Sequence, residues 1–140
     1  MKVTFKVQGL RELDKALAEL PKAYAKNILR KAFETASEPL VLDIKANTPV
    51  RTGQLRDSIE VSRMGGERRN EAKMQVGVMG KFYGHFLEFG TPKLRARPFV
   101  RPAIDRNSAA LVDRFSEAVA ASIERARARL AARAANKEGK

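Results

Sequence analysis

The sequence has no cysteine, no tryptophan and a single histidine, His85. Without thiols it can form neither disulfides nor thiolate metal sites. With one imidazole, a zinc site would need several carboxylates, and none cluster at ligand spacing. Hydroxyl groups such as that of Ser58 have no histidine or lysine base at a readable spacing. These absences predict a protein that is not an enzyme and uses no metal or cofactor.

Long apolar runs are also missing. No segment approaches the roughly 18 apolar residues of a membrane span, and "MKVTFKVQGL" does not have the form of a signal peptide. We therefore expect no membrane contact, and a protein used in the cytoplasm or packed into a particle assembled there. A chain of 140 residues, 44% hydrophobic and 31% charged, is typical of one globular domain.

Acidic residues are the minority: 28 lysines and arginines against 16 acids give a net charge of +12. Such an excess favours contact with nucleic acid, acidic protein surfaces or anionic membranes. It does not choose among them, and a solvated basic face explains any single cluster equally well.

Apolar spacing predicts an α+β fold: a small antiparallel β-sheet packed by helices, with a long C-terminal helix. Strands are expected at 2–7, 58–64 and 72–79, the last two joined by a polar hairpin tip. Helices are expected at 10–20, 22–46, 81–89 and 103–135, and Pro39 predicts a kink or break in the second.

The C-terminal helix would span about 45 Å, longer than a compact domain of this size needs. Its second half is rich in alanine and arginine, and Arg125, Arg129 and Arg133 form a basic ridge at spacings of four. This half either extends toward a partner or ends as a solvated tail. We therefore divide the chain into a domain at 1–120 and a basic helical extension or tail at 121–140.

Residues 82–103 concentrate aromatic rings, prolines and basic residues. Phe82, Phe86 and Phe89 share one helical face, which we expect to pack on the sheet. Glu88 lies between apolar neighbours, so we expect it to be half-buried and paired with an arginine, for which a neighbouring subunit is one source. Residues 93–102 are expected to form a stiff extended basic arm. Docking of this arm on another subunit explains it with fewer assumptions than nucleic-acid binding.

Three motifs occur in a characteristic order: "TPVRTGQLRDSI", "YGHFLEFGT" and "RPFVRPA". Together with the leucines near the N-terminus and the long last helix, they resemble the head–tail joining and tail-completion proteins of long-tailed double-stranded DNA bacteriophages, also called neck or minor tail components. The resemblance covers roughly residues 8–120. The motif positions are Pro49, Thr52, Gly53, Leu55, Ser58, Ile59, Tyr83, Glu88, Phe89, Gly90, Thr91, Arg97, Pro98, Phe99, Pro102 and Ala103.

The resemblance implies a structural virion protein of the neck or tail, assembled in the host cytoplasm without catalysis or cofactor. It implies a homo-oligomeric ring, a hexamer, that completes the tail and joins it to the head around the DNA channel. The implied partners are other neck proteins (a connector or head-closure ring) and the tail tube protein, with possible contact to packaged DNA. The tier of the neck stays open: tail terminator, tail completion or connector. The alternative is a stand-alone nucleic-acid-binding protein that uses the arginine ridge.

Two groups of candidate functional residues follow. The first would form inter-subunit or partner interfaces: Pro49, Arg51, Thr52, Gly53, Leu55, Tyr83, Glu88, Phe89, Arg95, Arg97, Pro98 and Phe99. The second would contact DNA or an acidic partner: Arg125, Arg129 and Arg133.

Overall fold

The computed structural model describes residues 2–3, 11–65 and 72–139. Its elements, in chain order, are β1 (Lys2–Val3), α1 (Arg11–Ala18), α2 (Lys22–Asn47), α3 (Gln54–Asp57), β2 (Ile59–Arg63), β3 (Met74–Val78), α4 (Tyr83–Phe89) and α5 (Arg101–Glu138). The predicted α+β class, with a long C-terminal helix, is confirmed.

The three strands form one antiparallel sheet in the order β1-β3-β2. Strand β2 pairs with β3 from Ile59 opposite Val78 to Arg63 opposite Met74, as the alternating apolar pattern predicts. Residues 4–7 of the predicted first strand and residues 66–71 of the predicted hairpin tip lie outside the described part of the chain.

Helix α2 continues through Pro39 without a break. Proline removes one backbone donor and crowds the preceding turn, which is why the sequence predicts an interruption there. However, the neighbouring Ser37, Leu40 and Ile44 are almost completely buried, and their packing holds the helical path. Of the predicted kink or break near Glu38, the break is therefore wrong, and the kink stays a prediction.

The core has two parts. The first lies between the sheet, α2 and the start of α5, and includes Leu40, Ile59, Val76, Phe99 and Leu111. The second packs α1 and α2 against the middle of α5, and its buried members are Leu20, Ile28, Ala32, Val119, Ile123 and Ala126. Packing thus extends past residue 120, whereas residues 131–138 at the end of α5 are exposed. The division of the chain at residue 120 stays a prediction.

A polar cluster also ties α2 to α5. Arg106 donates from Nη2 to Asp43 Oδ1 at 2.8 Å and from Nε to Oδ2 at 3.1 Å, and Asn107 Nδ2 donates to Oδ2 at 2.7 Å. The hydrogen bond from Arg106, helped by that from Asn107, holds the pKa of Asp43 below its ordinary value despite partial desolvation. The cluster therefore favours the charged carboxylate in the folded state.

Candidate assembly surface

Glu88 is 6% exposed and connects α4 to the start of α5. Its Oε2 accepts hydrogen bonds from the backbone N–H groups of Phe99 at 2.8 Å and Val100 at 3.0 Å. Its Oε1 accepts the N–H of Arg101 at 3.0 Å. A carboxylate at this position satisfies donors that the first turn of a helix leaves unpaired and lies at the positive end of the helix dipole. Glu88 is thus the cap of α5, contributed by another helix.

This cap corrects two predictions. The partner of Glu88 is a set of backbone amides at the start of α5 rather than an arginine. The segment 93–102 is also not one extended arm, because Phe99 is fully buried, Val100 is 2% exposed and α5 begins at Arg101. The physical reason is the same for both: the buried carboxylate needs these amides, and it holds them against the core.

The inner face of α4 is set by close packing at Gly84. A Cβ at this position would lie 3.2 Å from Leu55 Cδ1 and 3.3 Å from Val78 Cγ1, so a side chain there would require these neighbours to shift by a few tenths of an ångström. Tyr83 and Leu87 pack against the first core cluster. Because Glu88 is also buried, one face of this short helix is occupied by contacts with the core.

The opposite face of α4 carries exposed rings. Phe82, Phe86 and Phe89 are 79%, 43% and 55% exposed, so the prediction that they pack on the sheet is wrong. The rings of Phe82 and Phe86 meet edge to face with their centroids 6.3 Å apart, and the ring centroids of His85 and Phe89 are 4.8 Å apart. We call these four residues the aromatic surface. The aromatic surface is exposed because Gly84 and Glu88, on the opposite side of α4, face the core.

A basic loop continues directly from this surface. Gly90 has φ +75°, Thr91 and Leu94 form a short bridge, and the N–H of Arg97 donates to the carbonyl of Leu87 at 2.7 Å. The loop is therefore folded back on the end of α4. Residues 93–98 of this loop are all exposed, and we call them the basic loop: Lys93, Leu94, Arg95, Ala96, Arg97 and Pro98.

The "TPVRTG" loop lies against the same region through Leu55, which is buried and adjoins Gly84. Gly53 has φ +81° at the start of α3, a conformation that favours glycine. Arg51 and Thr52 are exposed and Pro49 is half-buried. Of the predicted interface residues in this loop, Pro49, Arg51 and Thr52 are accessible to a partner. Leu55 belongs to the core.

The three arginines of the basic ridge are exposed and lie far from this region along α5. Arg133 donates from Nη1 to the hydroxyl of Tyr24 at 2.8 Å, and Arg125 donates from Nε to the carbonyl of Ala121 at 3.3 Å. Arg129 is separated from Arg101 by roughly 42 Å of helix at 1.5 Å per residue. The two predicted groups of functional residues therefore do not form one site.

A further feature, not predicted from the sequence, is an open groove of ≈ 410 Å³ between α2 and β2. We call it the acidic groove. Glu34, Glu38 and Glu60 line it and are exposed. Its other lining residues are Thr35, Val41, Lys45, Ile59 and Val61. The clue in the sequence was the i, i+4 spacing of Glu34 and Glu38, but the opposing Glu60 is brought near only by the fold.

Neither a metal site nor a membrane span is found in the described part of the chain. No group of three or more histidine and acidic residues within it is arranged to hold a metal ion. None of its helices is both long enough and apolar enough to cross a membrane.

A chain with an exposed aromatic surface beside a basic loop has the features of a protein that associates with others. The family model described as "Bacteriophage HK97-gp10, putative tail-component" matches residues 11–90, more than half of the chain. The chain belongs to this family and is a phage tail component. The match includes α1 to α4 and ends at Gly90, before the basic loop and α5. Searches of curated proteins and of solved structures gave no significant match.

Proposed function

We propose that this tail component forms a homo-oligomeric ring at the head end of the tail, where it completes the tail and joins it to the head. The observation that carries the proposal is the aromatic surface, held on a helix that Glu88 and Gly84 fix to the core. A tail component that presents rings to solvent in isolation has a surface ready for a neighbour.

The head-end position is supported by the resemblance of the motifs around Gly53, Glu88 and Phe99 to those of tail-completion proteins. In that position the partners are a connector or head-closure ring on one side and the tail tube protein on the other. A ring of identical subunits, a hexamer in this proposal, leaves a central channel for the genome. The role is structural, with no catalytic step.

The net charge of +12 suits this location. A ring around a DNA channel has a polyanion inside it, and basic residues reduce the repulsion from the phosphates. The exposed arginine ridge, Arg125 to Arg133, is a candidate for that contact or for acidic faces of adjacent rings.

The position in the particle is tested by labelling. A phage that encodes this protein with a peptide tag after Lys140 would be imaged with a gold-coupled antibody to the tag. We expect one label site per virion, at the head–tail junction. Label along the tail tube or at the distal tip would contradict the head-end position while leaving the protein a tail component.

A stand-alone nucleic-acid-binding role is the second candidate, because residues 131–138 at the end of α5 and the basic ridge are exposed. The dependence on salt concentration distinguishes DNA binding from ring formation. If three arginines replace counterions on DNA, raising the salt from 50 to 200 mM should weaken binding roughly 40-fold. A ring whose interfaces also bury aromatic rings should lose much less of its association over the same range, because salt screens only the charged part of the contact.

A further inference from the structure

We infer that the aromatic surface and basic loop of one copy bind the acidic groove of the next copy. This inference rests on the proposed ring and names the two surfaces that would build it. Three observations lead to it: exposed rings, an open groove lined in part by apolar residues, and opposite charge on the two surfaces.

The first surface is unusually apolar and unusually positive. Phe82, Phe86 and Phe89 expose about half of their area or more. Between residues 81 and 104 the basic residues are Lys81, Lys93, Arg95, Arg97 and Arg101, and the single acid is Glu88. The carboxylate of Glu88 is buried and accepts hydrogen bonds from backbone amides at the start of α5, so it is not exposed to form an ion pair with the basic residues of the loop.

The second surface is the reverse in charge. Three exposed glutamates and one lysine, Lys45, line the acidic groove, in a chain whose net charge is +12. Val41 and Val61 also line it, and both are half-buried, which leaves apolar area uncovered. A cavity of about 150 Å³ already accommodates benzene, so ≈ 410 Å³ has room for a phenyl ring.

A protein partner fits the aromatic surface better than single-stranded nucleic acid does. Stacked bases need free ring faces, but Phe82 meets both Tyr83 and Phe86 edge to face at an interplanar angle of 83°. His85 covers part of Phe89 at 4.8 Å. Such a cluster forms an apolar protrusion beside the basic loop. The acidic groove is a concave surface whose charge is opposite to that of the loop.

The two surfaces share no residue, since one is built from α4 and the loop after it and the other from α2 and β2. An interface between two different surfaces of the same chain is heterologous, and its repetition gives either a closed ring or a filament. The inferred contact is therefore of the kind that a ring requires.

Charge exchange tests this interface with exposed residues only. The loop variant carries Arg95→Glu and Arg97→Glu, and the groove variant carries Glu38→Lys and Glu60→Lys. Each alone places like charges across the interface. In an equimolar mixture, the acidic loop of the first meets the basic groove of the second, and the unchanged basic loop of the second meets the unchanged acidic groove of the first. Masses would be measured by analytical ultracentrifugation over a concentration series, with circular dichroism to verify folding.

We expect the unaltered protein to form oligomers, each variant alone to associate at least tenfold more weakly, and the mixture to recover the oligomer with both chains in equal amounts. Oligomers that persist in each variant alone, or a mixture that does not recover, would overturn the inferred surfaces and leave the ring itself in place. An unaltered protein that stays monomeric at every concentration would overturn the inference, and the proposed position in the virion would still be judged by gold labelling. Tight binding of a single-stranded oligonucleotide by that monomer, lost in the loop variant, would reassign the surface to nucleic acid.

The apolar part of the contact has its own test. Phe86→Ala removes a central ring and should weaken association at least tenfold, as loss of an aromatic anchor does. Val112→Ala is the matched control, because Val112 is an exposed apolar residue on α5, outside both surfaces. Equal effects of the two substitutions would show that the aromatic surface is not in the interface.

Discussion

Removal of the Glu88 cap should destabilise the whole protein, because one carboxylate holds the start of α5 and the loop before it. It accepts three backbone hydrogen bonds. A hydrogen bond to a charged group contributes about 1.5–3 kcal/mol, and a buried donor left without a partner costs about 1–3 kcal/mol. The terms are not additive, since the freed amides can recruit water.

Glu88→Ala should therefore cost about 3–5 kcal/mol, as does removal of one partner from a buried charged contact. Glu88→Gln keeps the size of the side chain and one acceptor oxygen. However, it loses the charge, and its side-chain amide N–H groups would face the backbone N–H donors. We expect it to cost about 2 kcal/mol. For a chain of this length these losses correspond to a fall in Tm of roughly 10–15 °C and roughly 6 °C.

The assay is thermal and urea unfolding followed by circular dichroism at neutral pH. Glu117→Gln is the matched control, because Glu117 is an exposed glutamate on α5 and should change the unfolding free energy by less than about 0.5 kcal/mol. A Glu88→Gln protein as stable as this control would refute the assignment of Glu88 as a structural cap.

Other predictions concern the turn, the interhelical cluster and the second core. Gly90→Ala should lower the free energy of unfolding, measured in urea, by about 1–2 kcal/mol more than Gly80→Ala does. Both glycines have positive φ, but of the two only Gly90 would place a Cβ against backbone, 2.8 Å from Ala96 N. Equal losses of stability would contradict this reasoning. The Arg106 hydrogen bond lowers the pKa of Asp43, so its stabilisation is present above the unfolded pKa of about 3.9 and is lost as pH falls through the lower folded value. Asp43→Asn should thus flatten the fall in Tm below about pH 4, whereas parallel curves would argue against the cluster. Ile123→Ala should cost about 2–4 kcal/mol in thermal unfolding, since Ile123 is buried; an unchanged Tm would show that α5 contributes little packing after residue 120.

Most elements could be predicted because their apolar spacing repeats. Val76 and Val78 alternate along β3, and Leu40 and Ile44 recur at helical spacing on α2; all four are buried. The helix at 22–46 was predicted, but a break at Pro39 was given as one alternative, because local backbone preference was weighed without the packing that overrides it.

The site was predicted less well, and for a definite reason. The spacing of Phe82, Phe86 and Phe89 shows correctly that they share a face, but spacing alone does not say what lies opposite that face. The inward direction of α4 is set by Gly84, whose small size permits contact with Val78, and by Glu88, which reaches amides 11 to 13 residues later in the chain. Side-chain types suggest an arginine for a buried glutamate, whereas backbone donors leave no mark in the sequence.

The connection through Glu88 also bears on assembly. Because the carboxylate joins α4 to Phe99, directly after the basic loop, and to the start of α5, the aromatic surface is held in place before any partner arrives. Preorganisation of this kind lowers the entropy cost of association. A loosened cap should therefore weaken the inferred contact between copies as well as the fold.

The most direct test of the proposed function is electron microscopy of particles from a phage in which the codon for Tyr24 of this protein is replaced by a stop codon. The account predicts filled heads and separate tails, or tails of irregular length, because the ring that completes and joins the tail is missing. Normal joined virions would contradict it and would move the nucleic-acid-binding alternative to first place.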